Sequence, residues 1–538
     1  MLSLARSRAT AAASASAKAQ AKAVACRSAH SLTAAIYSSS SRRHRRQKPD
    51  LEPDSETETQ QRRITAKEAG QQQQTSAARY WPKLEIPREA KRFTFLDETT
   101  KRGLVKVAWT DRLLFVEDPA IENGRRALKP ATLRDSCACP RCRDTSSGQK
   151  TYSSVEIPVD IGLQYVKPTK KGLEITFLRD IPRFTEDENK PHVMLLPWES
   201  VDLSLKRKGT EDVTLPRQRS VQRRTGVVYW DRETIAQQVR RIDYAEFMKP
   251  DSEAFWDVII DICRFGLVYL NNVPRDEDSI VRITTRIANI RETFYGRTFD
   301  VRAKPNAENV AYTSGFLGLH QDLLYLDPPP MIQVLHCMDN SCAGGESLFS
   351  DGERVGRLLY PFLTRHRMAP LAEHHVPYQY GKNGFHYFSS RRVIDGNDAG
   401  FNNVFWSPPF QGRYLSPVKD IRRWLEPAGI FSSLINDPAA IHEQKMEPGE
   451  CVFFDNLRVL HGRNAFDAAG GGARWLRGAY ISAEDFLSRA AHIPKGMAEK
   501  YRGERPWAPA LAQKALRETA WHEDVVRRVR EIDPALED

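Results

Sequence analysis

The order of helix-like and strand-like segments constrains the fold of this 538-residue chain more than any other feature. From Asp251 the sequence reads as a helix, a break at Gly266 and a strand, and isoleucines at 280, 283, 287 and 290 have helical spacing. Strand-like segments follow, namely MIQVLHCM, ESLFSD, ECVFFDN and LRGAYIS. Helices first and strands later predict a mainly β fold, a sandwich or jelly roll with flanking helices.

The length predicts two structured domains joined by polar segments. Short strand-like pieces such as LVKVAWT and LEITFL predict a small β-rich domain over residues 79–205, and the jelly roll is expected over 229–538. Residues 47–78 are polar and lack aromatic side chains, and residues 206–228 are polar and basic, so both are predicted linkers.

The net charge of +11 is concentrated near the N-terminus. Residues 1–50 hold ten Lys or Arg and one acid, Asp50, which leaves 70 bases and 68 acids in the rest. The Ala-, Ser- and Arg-rich composition of residues 1–46 predicts a mitochondrial transit peptide and a matrix location; a disordered basic tail is the alternative. The near-neutral remainder argues against nucleic acid as a partner, and no apolar run is long enough to predict a membrane span.

A His-x-Asp pair heads the apolar run that begins at Leu323. On a strand, His320 and Asp322 point to the same side, so they can share a ligand. His461 ends another apolar run, and two His with one carboxylate are the donor set of non-haem Fe(II) oxygenases. Arg474, thirteen residues later, offers a planar fork for a carboxylate. His-x-Asp alone is a weak signal, and an unrelated surface pair is the competing reading.

Taken together, the sequences of these segments resemble those of a known family. NVAYTSGFLGLHQD, PPPMIQVLHC, GGESLFSDG, DNLRVLHGRNAF and RWLRGAY resemble the γ-butyrobetaine and trimethyllysine dioxygenases, in order from about Arg134 to Tyr480. The resemblance implies a double-stranded β-helix, or jelly-roll, catalytic domain preceded by a small zinc-binding domain. It implies that His320, Asp322 and His461 bind Fe(II), and that Arg474, with Ser347 as a weaker candidate, binds 2-oxoglutarate.

The cysteine-rich segment LRDSCACPRC matches the zinc motif of the same family. The crowding of Cys137, Cys139 and Cys142 itself favours metal over disulfides in a matrix protein. Three thiolates need a fourth ligand for a tetrahedral site, and His192 is the one histidine between this cluster and the catalytic domain. A redox or incidental cluster is the alternative.

The resemblance also assigns substrate contacts. Four aromatic residues match the family's cage for a trimethylammonium group, which has no N–H to donate and is held by aromatic faces: Tyr295, Phe299, Tyr312 and Tyr480. Phe299 stands where the family usually has Trp. Asn309 and Asn402 match the asparagines that contact the carboxylate of γ-butyrobetaine; otherwise they read as turn or capping residues.

These matches imply an enzyme that hydroxylates γ-butyrobetaine at C3 to L-carnitine, while 2-oxoglutarate and O₂ give succinate and CO₂. Fe(II), structural Zn(II) and ascorbate as reductant are implied with it, as is a homodimer. A trimethyllysine dioxygenase, or a related dioxygenase of another substrate, is the alternative within the class. A zinc-bearing nucleic-acid-binding protein is the alternative from another class.

Overall fold

The computed structural model describes residues 86–97, 102–118, 124–185, 191–206, 221, 224–302, 310–397, 400–414, 418–467, 470–502 and 509–536. The predicted transit peptide, the 47–78 linker, most of the 206–228 linker and Asn309 therefore lie outside the described residues. Among the described helices, none combines the length and the apolar character needed to span a bilayer.

The strands are β1 (Lys91–Asp97), β2 (Arg102–Trp109), β3 (Leu114–Glu117), β4 (Arg125–Leu128), β5 (Gly162–Thr169), β6 (Gly172–Leu178), β7 (Val193–Pro197), β8 (Arg241–Asp243), β9 (Leu267–Asn271), β10 (Phe299–Val301), β11 (Leu317–His320), β12 (Ile332–Asn340), β13 (Ser347–Asp351), β14 (Val376–Lys382), β15 (Phe385–Arg391), β16 (Ile394–Asn397), β17 (Gly400–Val404), β18 (His442–Gln444), β19 (Cys451–Asp455), β20 (Val459–Arg463) and β21 (Arg474–Ile481). The α-helices are α1 (Pro130–Asp135), α2 (Trp198–Lys206), α3 (Arg232–Gln238), α4 (Tyr244–Met248), α5 (Glu253–Phe265), α6 (Ser279–Ile287), α7 (Gly352–Leu359), α8 (Pro370–Glu373), α9 (Val418–Ile435), α10 (Ala483–Ala490), α11 (Lys495–Arg502), α12 (Pro509–Arg517) and α13 (Ala520–Ile532). Single 3₁₀ turns occupy Ser154–Glu156, Pro182–Phe184, Val310–Tyr312, Tyr360–Phe362, Pro408–Phe410 and Pro438–Ala440.

The described residues form two compact units, one up to Trp198 and one from Glu199 onward. The first unit contains an antiparallel four-stranded sheet, β1-β2-β3-β4, and an antiparallel three-stranded sheet, β5-β6-β7. The turn from β5 to β6 requires Gly172, whose φ is +153°. A Cβ there would lie 2.1 Å from the carbonyl oxygen of Leu196, so a residue with a side chain does not fit at this position.

The second unit is built on two sheets that face one cavity. A six-stranded sheet has the order β10-β21-β12-β19-β9-β8, and a four-stranded sheet has the order β11-β20-β13-β18. The pairs are antiparallel except β8 with β9. Side chains of both sheets line the cavity. The predicted double-stranded β-helix with flanking helices is confirmed, with β-sheets predominating.

Helices cover the outer face of the six-stranded sheet because its strands are apolar on both sides. On β12, Ile332 and Val334 pack beneath α5 and α6, whereas Leu335 faces inward with the core that surrounds the cavity. Helix α5 ends at Gly266, whose φ is +72°, as predicted. Helix α6 ends at Ile287, so Ile290 lies beyond it and the helical spacing overestimates its length.

Candidate active site and metal centres

The structure brings His320, Asp322 and His461 together, with one ligand atom from each lying within 4.8 Å of the others. His320 and His461 are directly opposite on β11 and β20, with ring centroids 4.3 Å apart. Nε2 of His320 lies 3.3 Å from Oδ1 of Asp322, and Nε2 of His461 lies 3.9 Å from Oδ2. Strand pairing thus sets the spacing of the two imidazoles.

Backbone and side-chain contacts fix the segment that carries this pair. Gln321 between them is fully buried; its side-chain oxygen accepts from the Trp406 N–H (2.8 Å) and its amide nitrogen donates to the Val404 carbonyl (3.2 Å). Asn456 accepts from the Asp322 N–H at 2.8 Å and donates to the Asp322 carbonyl at 3.1 Å. The turn after His320 is therefore held from two directions.

Each candidate ligand is in a state suited to a metal. Nδ1 of His320 lies 2.9 Å from the Gly318 carbonyl, a contact that would keep a proton on Nδ1 while Nε2, on the side of Asp322, binds a metal. Burial, reinforced by the neighbouring His320, lowers the pKa of His461 to about 3, which keeps it neutral. Burial acts to raise the pKa of Asp322, but its hydrogen bonds with His320 and with the Tyr480 hydroxyl act in the other direction, and that pKa lies below its usual range.

The donor set fits Fe(II), because two imidazoles and one carboxylate lie together in the wall of a cavity. The cavity holds about 680 Å³ of space, its opening to solvent included. Leu335, Phe349, Phe410 and Leu476 supply much of its apolar lining. A cavity of this size suits a small ligand beside the metal.

All four aromatic residues of the predicted cage line this cavity, namely Tyr295, Phe299, Tyr312 and Tyr480. Phe299 and Tyr480 are stacked, with centroids 4.8 Å apart and planes 18° apart. The Tyr480 hydroxyl donates to Oδ2 of Asp322 at 2.7 Å, a contact that the sequence did not predict. Phe299 lies over Gly478, where a Cβ would be 2.2 Å from the ring. Tyr480 therefore contacts the metal site as well as the cage.

The lining also contains both predicted cosubstrate residues, Arg474 and Ser347, and a second arginine, Arg463. Arg474 donates through Nε to the Gly345 carbonyl at 3.2 Å. Burial, with the nearby Arg463, lowers the pKa of Arg474 to about 10, so it stays charged at neutral pH. Such a buried guanidinium matches the distal carboxylate of 2-oxoglutarate.

Two further polar residues of the lining were missed from the sequence. Arg463 donates to the carbonyls of Ala311, Thr313 and Gly315 at 2.7–3.0 Å, and so holds the segment that carries Tyr312. Its position two residues after His461 on one strand was the signal that could have found it. Gln333, on the inner face of β12, had no comparable signal.

The structure does not bring Asn402 to the cavity. Asn402 lies on β17, and its amide nitrogen is 3.4 Å from Oδ2 of Asp395 on the partner strand β16. It is not among the residues that line the cavity. Contact of Asn402 with a substrate carboxylate therefore stays a prediction. Asn309 lies outside the described residues.

The first unit gathers Cys137, Cys139, Cys142 and His192, again with ligand atoms within 4.8 Å of one another. Nε2 of His192 lies 3.5 Å from Sγ of Cys137 and of Cys139 and 3.3 Å from Sγ of Cys142. Three sulfurs and one imidazole are a tetrahedral zinc donor set. Burial acts to lower the pKa of His192, but its bond to Asp180 outweighs this and raises the pKa to about 9.

Comparisons with known proteins agree with this geometry. The model of the "Taurine catabolism dioxygenase TauD, TfdA family" matches residues 230–480. Dioxygenase str8 of Strobilurus tenacellus is 32% identical over 66% of this chain and 83% of its own length. Gamma-butyrobetaine dioxygenase of Homo sapiens is 27% identical over 68% and 90%. The protein named "Trimethyllysine dioxygenase, mitochondrial" of Gallus gallus is 26% identical over 66% and 81%.

Proposed function

This chain belongs to the TauD/TfdA family, with the γ-butyrobetaine and trimethyllysine dioxygenases, and from that premise we propose that it hydroxylates γ-butyrobetaine at C3. Its membership makes it a 2-oxoglutarate-dependent dioxygenase that acts on a small molecule. The observation that carries the finer proposal is the aromatic lining beside the three candidate iron ligands.

Iron and 2-oxoglutarate together would supply the oxidising power, with O₂ consumed and succinate and CO₂ released. His320, Asp322 and His461 would hold Fe(II) on one side, leaving the cavity side for the reactants. Arg474, buried and charged, would pair with the far carboxylate of 2-oxoglutarate, and Ser347 would add a hydroxyl contact. The chain's own share is then to position the reactants and exclude water.

The trimethylammonium group would rest against Tyr295 and Tyr312, whose rings meet edge to face at 6.4 Å. Stacking on Tyr480 covers one face of Phe299, so Phe299 would contribute its other face or its edge. Cation–π contacts of this kind contribute about 0.5–2 kcal/mol each.

A second candidate is a related dioxygenase acting on another substrate, with trimethyllysine as one case. The position of Asn402 favours it, because one of the two amides expected at the γ-butyrobetaine carboxylate lies off the cavity. The 32% identical relative carries neither of the two carnitine-pathway names.

Location and assembly are further parts of the proposal. The acid-poor segment 1–46 and the mitochondrial relative support import into the matrix. A homodimer is proposed from the resemblance. Mitochondrial import is tested by fusing residues 1–60 to a fluorescent reporter, since a diffuse cytosolic signal contradicts import. The homodimer is tested by sedimentation of the purified chain.

The function is tested by incubating the protein with Fe(II), 2-oxoglutarate and ascorbate, and measuring succinate and hydroxylated product by mass spectrometry. γ-Butyrobetaine and trimethyllysine are compared under identical conditions, and L-carnitine should be the main product. Asp322→Ala should abolish turnover, whereas His492→Ala, an exposed histidine outside the site, should not. Product from trimethyllysine alone assigns the alternative. No product from either, with succinate still formed, rejects the carnitine assignment but not the enzyme class.

A further inference from the structure

The cysteine–histidine cluster of the first unit is surrounded by a closed ring of polar contacts. Arg134 donates through Nε to Oδ1 of Asp180 at 2.5 Å, and through Nη1 to Sγ of Cys142 at 3.2 Å. The other carboxylate oxygen of Asp180 lies 2.7 Å from Nδ1 of His192. His192 faces the sulfurs with Nε2, which closes the ring at Cys142. Neither Arg134 nor Asp180 was predicted from the sequence as part of this centre.

These charges are removed from water. The Arg134 side chain is 0% exposed, and those of Asp180 and His192 are each 2% exposed. The Arg134 guanidinium lies 4.7 Å from the ring centroids of both Tyr152 and Phe184. A buried charge is costly unless it is paired, so the ring has to remain complete to be stable.

Each contact has a specific chemical consequence. A carboxylate at Nδ1 holds a proton there, so Nε2, which faces the cysteines, is the nitrogen that would give up its proton to a metal ion. A donor on Cys142 favours its thiolate, which is the form that binds metal. Zn²⁺ with three thiolates and a neutral imidazole carries a net charge of −1. Asp180 brings the buried centre to −2, and Arg134 returns it to −1.

We infer that Arg134 and Asp180 are positioning residues of a zinc site at this cluster. Asp180 fixes the orientation and tautomer of His192, while Arg134 links Asp180 to Cys142 and offsets the anionic charge. The inference concerns the metal centre of the first unit and does not depend on which substrate the second unit accepts. The rival explanation is a metal-free hydrogen-bonded network whose only role is in folding.

The test uses the full chain, purified with zinc, and measures the metal alone. Asp180→Asn retains the size of the side chain but removes its charge. Arg134→Met retains the length but removes the donors, and Arg134→Lys retains the charge without the planar fork. Asp135→Asn is the matched control, since Asp135 neighbours Arg134 in the chain but pairs with Lys150 at a partly exposed site. Zinc per chain is measured by elemental analysis, and zinc release by a chromogenic chelator.

We expect one zinc per chain in the parent and in Asp135→Asn, with equal release rates. Asp180→Asn and Arg134→Met should release zinc about 10- to 100-fold faster, the usual effect of removing a partner of a metal ligand. The rate of zinc release from Arg134→Lys should lie between that of the parent and that of Arg134→Met. Cobalt(II) substituted for zinc should give a visible spectrum that Asp180→Asn changes, which a purely structural role would not do.

Zinc absent from the parent overturns the inference, as does release from Asp180→Asn and Arg134→Lys at the parent rate. If Arg134→Met does not fold, these two milder variants decide the matter. Substrate turnover is measured separately, so failure of the hydroxylase proposal is distinguishable from failure of this one.

Discussion

Replacing Tyr480 with Phe separates two roles that one residue plays at the candidate iron site. The substitution removes the hydroxyl that donates to Oδ2 of Asp322 at 2.7 Å. It keeps the ring that stacks on Phe299 at 4.8 Å. Since Tyr480 is buried, water cannot easily replace the missing donor.

The expected effect follows from the type of hydrogen bond. A bond to a charged group contributes about 1.5–3 kcal/mol, and each 1.4 kcal/mol is a factor of ten in binding. Losing the partner of a metal-binding carboxylate lowers metal affinity by about 10- to 100-fold. We therefore expect Tyr480→Phe to bind Fe(II) about 10- to 100-fold more weakly, with the affinity for a trimethylammonium substrate changed far less.

Anaerobic calorimetric titration with Fe(II) measures this directly. Phe299→Leu is the matched control, because it removes the stacked ring and keeps the hydroxyl bond. It should leave the Fe(II) dissociation constant unchanged while raising the substrate KM. An Fe(II) dissociation constant for Tyr480→Phe within twofold of the parent would refute the reasoning, and Tyr480 would then act through its ring alone.

Four other perturbations have defined outcomes. Gly478→Ala places a Cβ against Phe299, so we expect about 1–3 kcal/mol of destabilisation in thermal melts and a higher substrate KM; an unchanged melt contradicts the packing. Arg474→Lys should raise the KM for 2-oxoglutarate more than tenfold in a succinate assay, because the two-point fork is lost. Asn402→Ala should change the substrate KM less than threefold, because Asn402 is not among the residues that line the cavity; a larger change would identify it as a substrate contact. Burial raises the pKa of Asp455 to about 7, above its unfolded value near 4. The folded state then binds an extra proton between these values, so this group's contribution lowers the free energy of unfolding as pH rises from about 4 to about 7. Asp455→Asn should remove that slope in melts at several pH values.

Local patterns in the sequence predicted the features that a single segment determines, such as individual strands and pairs of neighbouring residues. The strand-like run after Pro330 forms β12, and His320 and Asp322 meet as predicted, although β11 ends at His320 and Asp322 lies in the turn that follows rather than on the strand. The pairing of His320 with His461 joins strands about 140 residues apart, which no local pattern determines. The resemblance to the family supported His461 as the second histidine of the site.

Side-chain contacts between elements that are distant in the chain could not be predicted from the sequence. The sequence does not show that Arg134 and Asp180 meet, because they are 46 residues apart and Asp180 follows β6, whereas Arg134 lies in α1. The family match assigned Asn402 to the substrate, and it did not show that this amide lies 3.4 Å from Oδ2 of Asp395 across the β16–β17 hairpin. A sequence match identifies an equivalent position in the chain, whereas the local backbone conformation determines which groups its side chain contacts.

Strand β10 has one hydrogen-bonded neighbour in the described part of the chain, β21, whereas β20 and β21 are each paired on both sides. Phe299 and Val301 on β10 face the cavity, while His461 and Arg474 sit on the doubly paired strands. Mutations on β10 can therefore reshape the pocket without disturbing the ladders that hold the candidate iron and cosubstrate residues. This separation allows the β10 side of the cavity to change shape while the candidate iron and cosubstrate residues keep their places.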